Sequence, residues 1–100
     1  MTKKLSASLP DCIHVGPLSY KVTSEPHIAA EDGHYGECNH RRLTISIDSG
    51  AHPDRQRQTL VHESLEAIND QYSVGLSHDQ IERLEGPLFA LYSDNHGIFS

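Results

Sequence analysis

The clearest alternation of hydrophobic and polar residues lies just before the middle of the chain. From Arg42 to Asp48, the apolar residues Leu43, Ile45 and Ile47 alternate with polar ones. An alternation with a period of two is typical of a strand that has one face on a core and one face in solvent. We therefore predict a half-buried strand here.

Two shorter segments near the N-terminus also have the composition of strands. Cys12 to Val15 and Leu18 to Thr23 are rich in β-branched and aromatic residues, and Gly16-Pro17 lies between them. Because Gly-Pro is a turn signal, the pair predicts a hairpin. The following stretch, from Glu25 to His40, is polar and turn-rich, so we expect loops there.

After residue 54 the hydrophobic spacing changes to that of a helix. Residues 55–72 predict a long helix, for which Asp54 can act as the N-cap. Its apolar stripe consists of Leu60, Val61, Leu65 and Ile68. A stripe of this kind is the side of a helix that packs on a core.

A second helix is predicted over residues 77–95, with Ser77 as its cap. Its apolar stripe consists of Ile81, Leu84, Leu88 and Leu91. Gly86-Pro87 interrupts the pattern, and proline removes a backbone donor and clashes with the preceding turn. We expect a kink at this point, or two helical pieces that meet there.

The order of elements, strands first and helices after, is typical of an α+β domain. We predict one domain over residues 1–100, with a small antiparallel sheet followed by two packed helices. The length of 100 residues suits a single core.

Composition and charge narrow the classes of function. The chain has no apolar stretch approaching the roughly 20 residues of a membrane span, and its basic start leads into no apolar run. We therefore expect a soluble, cytoplasmic protein without a membrane partner. The net charge of -6, with the acidic excess concentrated in the second half, argues against nucleic-acid binding.

Two cysteines, Cys12 and Cys38, are too few for a disulfide framework, and we expect both to be reduced packing residues. Eight histidines in 100 residues is the unusual count. Histidine is the side chain best suited to metal ligation and to proton transfer near neutral pH, so the composition indicates a site. Cys38 and His40, with His34 nearby, are a weak second cluster, because a structural zinc site needs four well-spaced ligands.

The strongest candidate site lies on the first predicted helix, in the segment His62-Glu63-Ser64-Leu65-Glu66. His62 and Glu66 are four residues apart, so their side chains leave the same face of the helix and can meet one ion. Glu63 is offset by about 100° around the helix, which can place its carboxylate beside the ion. This is the spacing of the H-E-x-x-H motif of zinc peptidases, with Glu66 in place of the second histidine. Zinc accepts a carboxylate ligand, so the substitution is chemically admissible.

A third ligand must come from another element, and His78 at the start of the second helix is the best candidate. In a helical hairpin the second helix folds back along the first, so its first residue can face the metal-binding side. Glu82 and Glu85 are the rivals, one and two turns further along. The more distant candidates are His34, His40 and His96.

The segment from Thr59 to Asn95 resembles the C-terminal half of a family of small zincin-like metallopeptidases found mainly in bacteriophages and prophages. The likeness rests on Thr59 to Ile68, which reads TLVHESLEAI, on Gly75 to His78, which reads GLSH, and on the helix end at Leu91 to Asn95. The N-terminal half fits more loosely. There the matching features are Val15 to Val22 as a strand pair, a turn at Gly36-Glu37-Cys38, and the strand at Leu43 to Asp48.

The resemblance implies a zinc-dependent metallopeptidase encoded by a phage or prophage and acting in the host cytoplasm. His62 and Glu66 would bind Zn²⁺, with weaker support for His78, and Glu63 would be the general base. The ion would lower the pKa of a bound water towards about 7 and polarise the carbonyl of a protein or peptide substrate. Tyr72 and Tyr92 could donate a hydrogen bond to the developing oxyanion, but nothing in the sequence places either one at the site.

The small size of the chain leaves room for two other functions. One is a catalytically inactive zincin-like module that binds a protein partner. The other is an acidic phage inhibitor that occupies a basic groove of a host protein. Both rivals predict a protein partner and no hydrolysis.

Overall fold

A computed structural model describes residues 9–26, 35–95 and 97. It contains four strands, β1 (Cys12–Val15), β2 (Leu18–Glu25), β3 (Gly36–Asn39) and β4 (Thr44–Asp48), and two helices, α1 (Pro53–Tyr72) and α2 (His78–Asp94). The protein is therefore an α+β fold, with the strands before the helices as the sequence predicts.

The four strands form one mixed sheet in the order β1-β2-β4-β3. The predicted hairpin is confirmed: β1 and β2 pair antiparallel around a turn in which Gly16 has a φ of +59°. β3 and β4 also pair antiparallel, but β2 and β4 run parallel. The prediction of a purely antiparallel sheet is therefore wrong. β3, the strand that follows β2 in the chain, lies at the edge of the sheet. β4 then lies between β3 and β2, antiparallel to β3 and parallel to β2.

The turn expected at Gly36-Glu37-Cys38 is also wrong, because these residues belong to strand β3. Only Gly36 in this strand is fully buried. It lies so close to α1 that a Cβ atom there would be 2.7 Å from Cγ2 of Thr59 and 2.8 Å from the carbonyl oxygen of Ser46. The absence of a side chain at Gly36 is what allows the edge strand to lie against the helix.

The core lies between the sheet and α1. Tyr20, Ile45 and Ile47 are completely buried, and Val15 and Ala67 complete the cluster. The alternation in the predicted strand is thus confirmed for Ile45 and Ile47. Leu43 lies outside β4, in the left-handed region with a φ of 58°, so the strand begins at Thr44.

Helix α1 begins two residues earlier than the sequence predicts. Its N-cap is His52, whose Nδ1 accepts a hydrogen bond from the backbone of Asp54, and Pro53 is the first helical residue. Proline has no N–H to leave unpaired and its φ is already helical, so it suits that position. The predicted cap at Asp54 is therefore wrong, whereas the predicted end at Tyr72 is confirmed.

Helix α2 has the cap that the sequence predicts. The Ser77 side chain accepts a hydrogen bond from the backbone of Gln80, and the Gln80 side chain accepts one from the backbone of Ser77. The helix continues through Gly86 and Pro87 as one element, so the alternative of two helical pieces is wrong.

The predicted apolar stripe of α2 is only partly buried. Ile81 is 1% exposed, whereas Leu84 and Leu91 are each 43% exposed. Among residues 9–26 and 35–95, no helix has the length and apolar character required to cross a membrane.

The loop between the helices is held by one side chain. Asn69 donates from Nδ2 to the carbonyl oxygen of Leu76 at 3.0 Å and accepts from the backbone N–H of Leu76 at 2.8 Å. Ser73, in the left-handed conformation, ends α1 just before this loop. Together these interactions direct the chain back along α1 and determine where α2 starts.

We expect Asn69→Ala to lower the free energy of unfolding by about 1–2 kcal/mol, because it leaves both backbone groups of the partly buried Leu76 without their partner. Asn95→Ala is the matched control, since Asn95 is exposed and makes one hydrogen bond to the end of its own helix. We expect the control to change stability by about 0.5 kcal/mol or less. Urea unfolding measures both, and equal effects would contradict this role of Asn69.

Candidate metal centre

Helix α1 presents His62 and Glu66 on one face, one turn apart. Nε2 of His62 lies 3.5 Å from Oε2 of Glu66, and both side chains are partly buried. The i, i+4 spacing that the sequence analysis uses therefore places these two polar atoms side by side.

The first residue of α2 completes the group. Nδ1 of His78 lies 3.4 Å from the same oxygen of Glu66, and the rings of His62 and His78 are 5.3 Å apart. One ligand atom from each of the three residues lies within 4.8 Å of the others. The structure thus brings together the three residues predicted as ligands, and the group could hold a metal ion.

The two contacts to Glu66 are compatible with a shared ion as well as with the hydrogen bond to Glu66 that helps to raise the pKa of His78. Hydrogen bonds between nitrogen and oxygen are usually 2.7–3.2 Å long, and the two contacts to Glu66 are longer than that. Donor atoms about 2.0–2.1 Å from a tetrahedral ion are about 3.3 Å from one another. Distances of 3.4 and 3.5 Å are close to this value.

Each histidine has a second carboxylate on its other nitrogen. Nδ1 of His62 forms a short hydrogen bond with Glu85, and Nε2 of His78 lies 3.1 Å from Oε2 of Glu82. Gln58 donates to the other oxygen of Glu85 at 3.1 Å. Metal-binding histidines commonly donate their second N–H to a carboxylate, which orients the ring and favours the tautomer that binds the ion. The two rivals for the third ligand therefore lie where they would orient the histidines.

The acidic surroundings affect the protonation of His78. Desolvation lowers the pKa of His78, but the carboxylates of Glu66 and Glu82 raise it by more, so its pKa lies above that of a free histidine. In the absence of a cation, the cluster therefore attracts positive charge onto this ring.

Glu63 is buried beside the cluster, with 7% of its surface exposed. Within the described part of the chain, no hydrogen-bond donor contacts its carboxylate. Burial raises the pKa of Glu63 to about 7; His62 opposes this, and the charges of Glu66, Glu37 and Glu85 add to it. An unpaired carboxylate that is this deeply buried is costly, which is common at functional sites.

Glu63 and both histidines line a cavity of about 170 Å³. The cavity also contains two residues that the sequence analysis did not consider, Tyr35 and Arg55. The Arg55 guanidinium lies over the Tyr35 ring, 5.0 Å from its centre. No local pattern links them, because one residue precedes β3 and the other belongs to the first turn of α1.

Neither predicted oxyanion donor lines this cavity. Tyr92 lines a separate apolar groove between the helices and the start of the described chain. The hydroxyl of Tyr72 lies in the turn of the first hairpin, 2.5 Å from where a Cβ atom on Gly16 would be. Neither tyrosine is therefore placed to donate to a group bound in this cavity.

The second cluster considered in the sequence has different surroundings. Nδ1 of His40 lies 3.6 Å from Sγ of Cys38, 3.3 Å from the Tyr20 hydroxyl and 3.6 Å from Asp70. Burial raises the pKa of the Cys38 thiol to about 12, so it stays protonated and is a poor ligand.

The two cysteines differ in their surroundings. Cys38 packs against the core as expected, whereas Cys12 is exposed, and both thiols are free. His34 and His96, the distant candidates, lie outside the described residues.

Comparison with known proteins adds no relative. No protein-family model, no curated protein and no solved structure matches this chain. The similarity to phage zincin-like metallopeptidases therefore stays a prediction from the sequence motifs.

We expect His62→Ala to abolish stoichiometric binding of a divalent transition metal, because it removes one of three converging ligands. His14→Ala is the matched control, since His14 is exposed on β1 and contacts Ser19 instead. Elemental mass spectrometry after metal loading and desalting measures both. Equal metal content in the two variants would contradict the assignment of the site.

We expect Glu85→Gln to weaken metal affinity by about tenfold or more, because it removes the charge that orients His62. Asp79→Asn removes the same charge from the same helix, but Asp79 pairs with Arg83 at the surface. Competition with a chromophoric chelator gives both affinities. If the two variants bind metal equally well, Glu85 does not support the site.

Proposed function

We propose that this protein is a zinc-dependent metallopeptidase of the phage zincin-like type, acting on proteins or peptides in the cytoplasm of a bacterial host. The observation that carries the proposal is the convergence of His62, Glu66 and His78 beside the buried carboxylate of Glu63, which has no hydrogen-bond donor among residues 9–26 and 35–95. A structural cluster would account for the first three residues, but it gives no reason for the burial of Glu63.

The donor set favours zinc over other common ions. Calcium and magnesium prefer oxygen ligands, whereas two imidazoles and one carboxylate form a recognised catalytic zinc set. His62, Glu66 and His78 would hold the ion beside the cavity that His62 and His78 line. When bound there, zinc supplies Lewis acidity, which makes a water more acidic and a carbonyl more electrophilic.

Glu63 is the proposed general base. It follows His62 directly on α1, so its carboxylate is offset around the helix from the ligand face and lines the same cavity. It would accept a proton from the attacking water and pass it to the amide nitrogen. The hydroxyl then remains on the carbonyl carbon, the C–N bond breaks, and one water is consumed for each bond cleaved.

The edge strand β3 gives an extended substrate a place to lie. The Asp48 N–H donates a hydrogen bond to the Tyr35 carbonyl at 2.8 Å, one residue beyond the Gly36–Ile47 pair of the β3·β4 ladder. On this pattern the backbone groups of Gly36 and Cys38 face the side of β3 on which no described strand lies; Gly36 is buried against α1, and it also lines the cavity. A peptide added at this edge would run past the candidate metal centre.

We expect Glu63→Gln to reduce cleavage of an unstructured protein by at least about a hundredfold, because it removes the proton acceptor. Its zinc content should stay at that of the unmodified protein, since Glu63 is not one of the three converging ligands. Glu25→Gln, the same change at the exposed end of β2, should retain full activity. Terminal-peptide mass spectrometry of the digested protein measures cleavage.

Two results would contradict the proposal. If Glu63→Gln cleaves as fast as the unmodified protein, the cleavage comes from a contaminant or from another mechanism. Complete absence of cleavage by the zinc-loaded protein, with capture of a protein partner unaffected by Glu63→Gln, would favour the inactive binding module.

A further inference from the structure

Arg55 is the one described residue lining the metal cavity that carries a permanent positive charge. It belongs to the first turn of α1, seven residues before His62. The rise of 1.5 Å per residue puts it about 10 Å from His62 along the helix axis. The other charged groups of the cavity are carboxylates and histidines, so Arg55 makes one end electrostatically different.

The charge of Arg55 is not neutralised by any carboxylate within ion-pair distance among residues 9–26 and 35–95. Its neighbours on the surface differ in this respect: Arg57 pairs with Asp54, and Arg83 pairs with Asp79. The cavity carboxylates Glu82 and Glu85 are engaged with histidines. Arg55 instead rests on the ring of Tyr35, a cation–π contact that limits the orientations of the guanidinium.

A guanidinium held in this way is suited to a ligand carboxylate. Its donors form a fork that matches the two oxygens, and charge-assisted hydrogen bonds of this kind are among the strongest in proteins. The glutamates that line the cavity repel an anionic ligand group, so the favourable place for a ligand carboxylate is at Arg55. About 10 Å corresponds to about three residues of extended peptide, and the reach of the arginine side chain shortens that span.

We propose that Arg55 selects substrates with a carboxylate two or three residues from the cleaved bond. This inference rests on the proposed peptidase function and names its substrate class. The carboxylate can come from an aspartate or glutamate side chain or from the C-terminus of the peptide. Arg55 is then a specificity-determining residue, and Tyr35 positions it.

The test uses peptide hydroxamates, which bind zinc without being cleaved. One series carries the hydroxamate at the N-terminal end and the other at the C-terminal end, so that residues on both sides of the cleaved bond are sampled. In each series, ligands with Glu two or three residues from the hydroxamate are paired with ligands that have Gln there. The N-terminal series also compares a free C-terminal carboxylate with its amide. Calorimetric titration of the zinc-loaded protein gives each Kd.

In at least one series we expect the charged ligand to bind about tenfold more tightly than its amide partner. Arg55→Gln should reduce this ratio to about twofold or less, mainly by weakening binding of the charged ligand. Arg57→Gln should keep the full ratio, because Arg57 lies two residues away on α1 and lines the separate apolar groove. A preference for Glu over Gln assigns the carboxylate to an acidic side chain, and a preference for the free C-terminus over its amide assigns it to the end of the peptide.

Equal affinities for charged and amide ligands in both series would overturn the role of Arg55, as would a preference that survives Arg55→Gln. Both results would leave the metal centre intact. Failure of every hydroxamate to bind the zinc-loaded protein would instead contradict the proposed peptidase function, and this inference with it.

Discussion

The candidate centre depends on how the chain closes between the two helices. His62 and Glu66 are adjacent on any straight helix, but His78 reaches them only because the loop returns α2 along α1. The side chain of Asn69 holds Leu76 by two hydrogen bonds, and the capping box of Ser77 starts the next helix immediately afterwards. Local backbone chemistry thus fixes the long-range contact on which the site is built.

Electrostatics gives the second constraint on the site. Two histidines are surrounded by four glutamates, Glu63, Glu66, Glu82 and Glu85. Such a concentration of like charge in partly buried positions is unfavourable unless a cation or protons compensate it. Within the described chain the compensation comes from the histidines and no arginine or lysine pairs with these groups. A bound metal ion would relieve the same repulsion, and its ligands would come from the His62–Glu66 and His78–Glu66 contacts.

The sequence predicts those parts of the molecule in which local periodicity decides the structure. The two helices and the burial of Ile45 and Ile47 follow from hydrophobic spacing, and the first hairpin follows from strand composition around Gly16-Pro17. The parallel pairing of β2 and β4 does not, because alternation is the same for both strand directions. The His62 and Glu66 pair is predictable because residues four apart share one face of a helix. The place of Arg55 in the cavity is not, because it depends on packing between β3 and α1.

The most direct test of the account is zinc K-edge X-ray absorption on the protein loaded with one equivalent of zinc. We expect a four-coordinate ion with nitrogen and oxygen donors at about 2.0–2.1 Å, two imidazoles among them, and no sulfur. The signal of one imidazole should disappear in His78→Ala, which distinguishes this centre from a site on α1 alone. A sulfur donor, or a spectrum that His78→Ala leaves unchanged, would contradict the account.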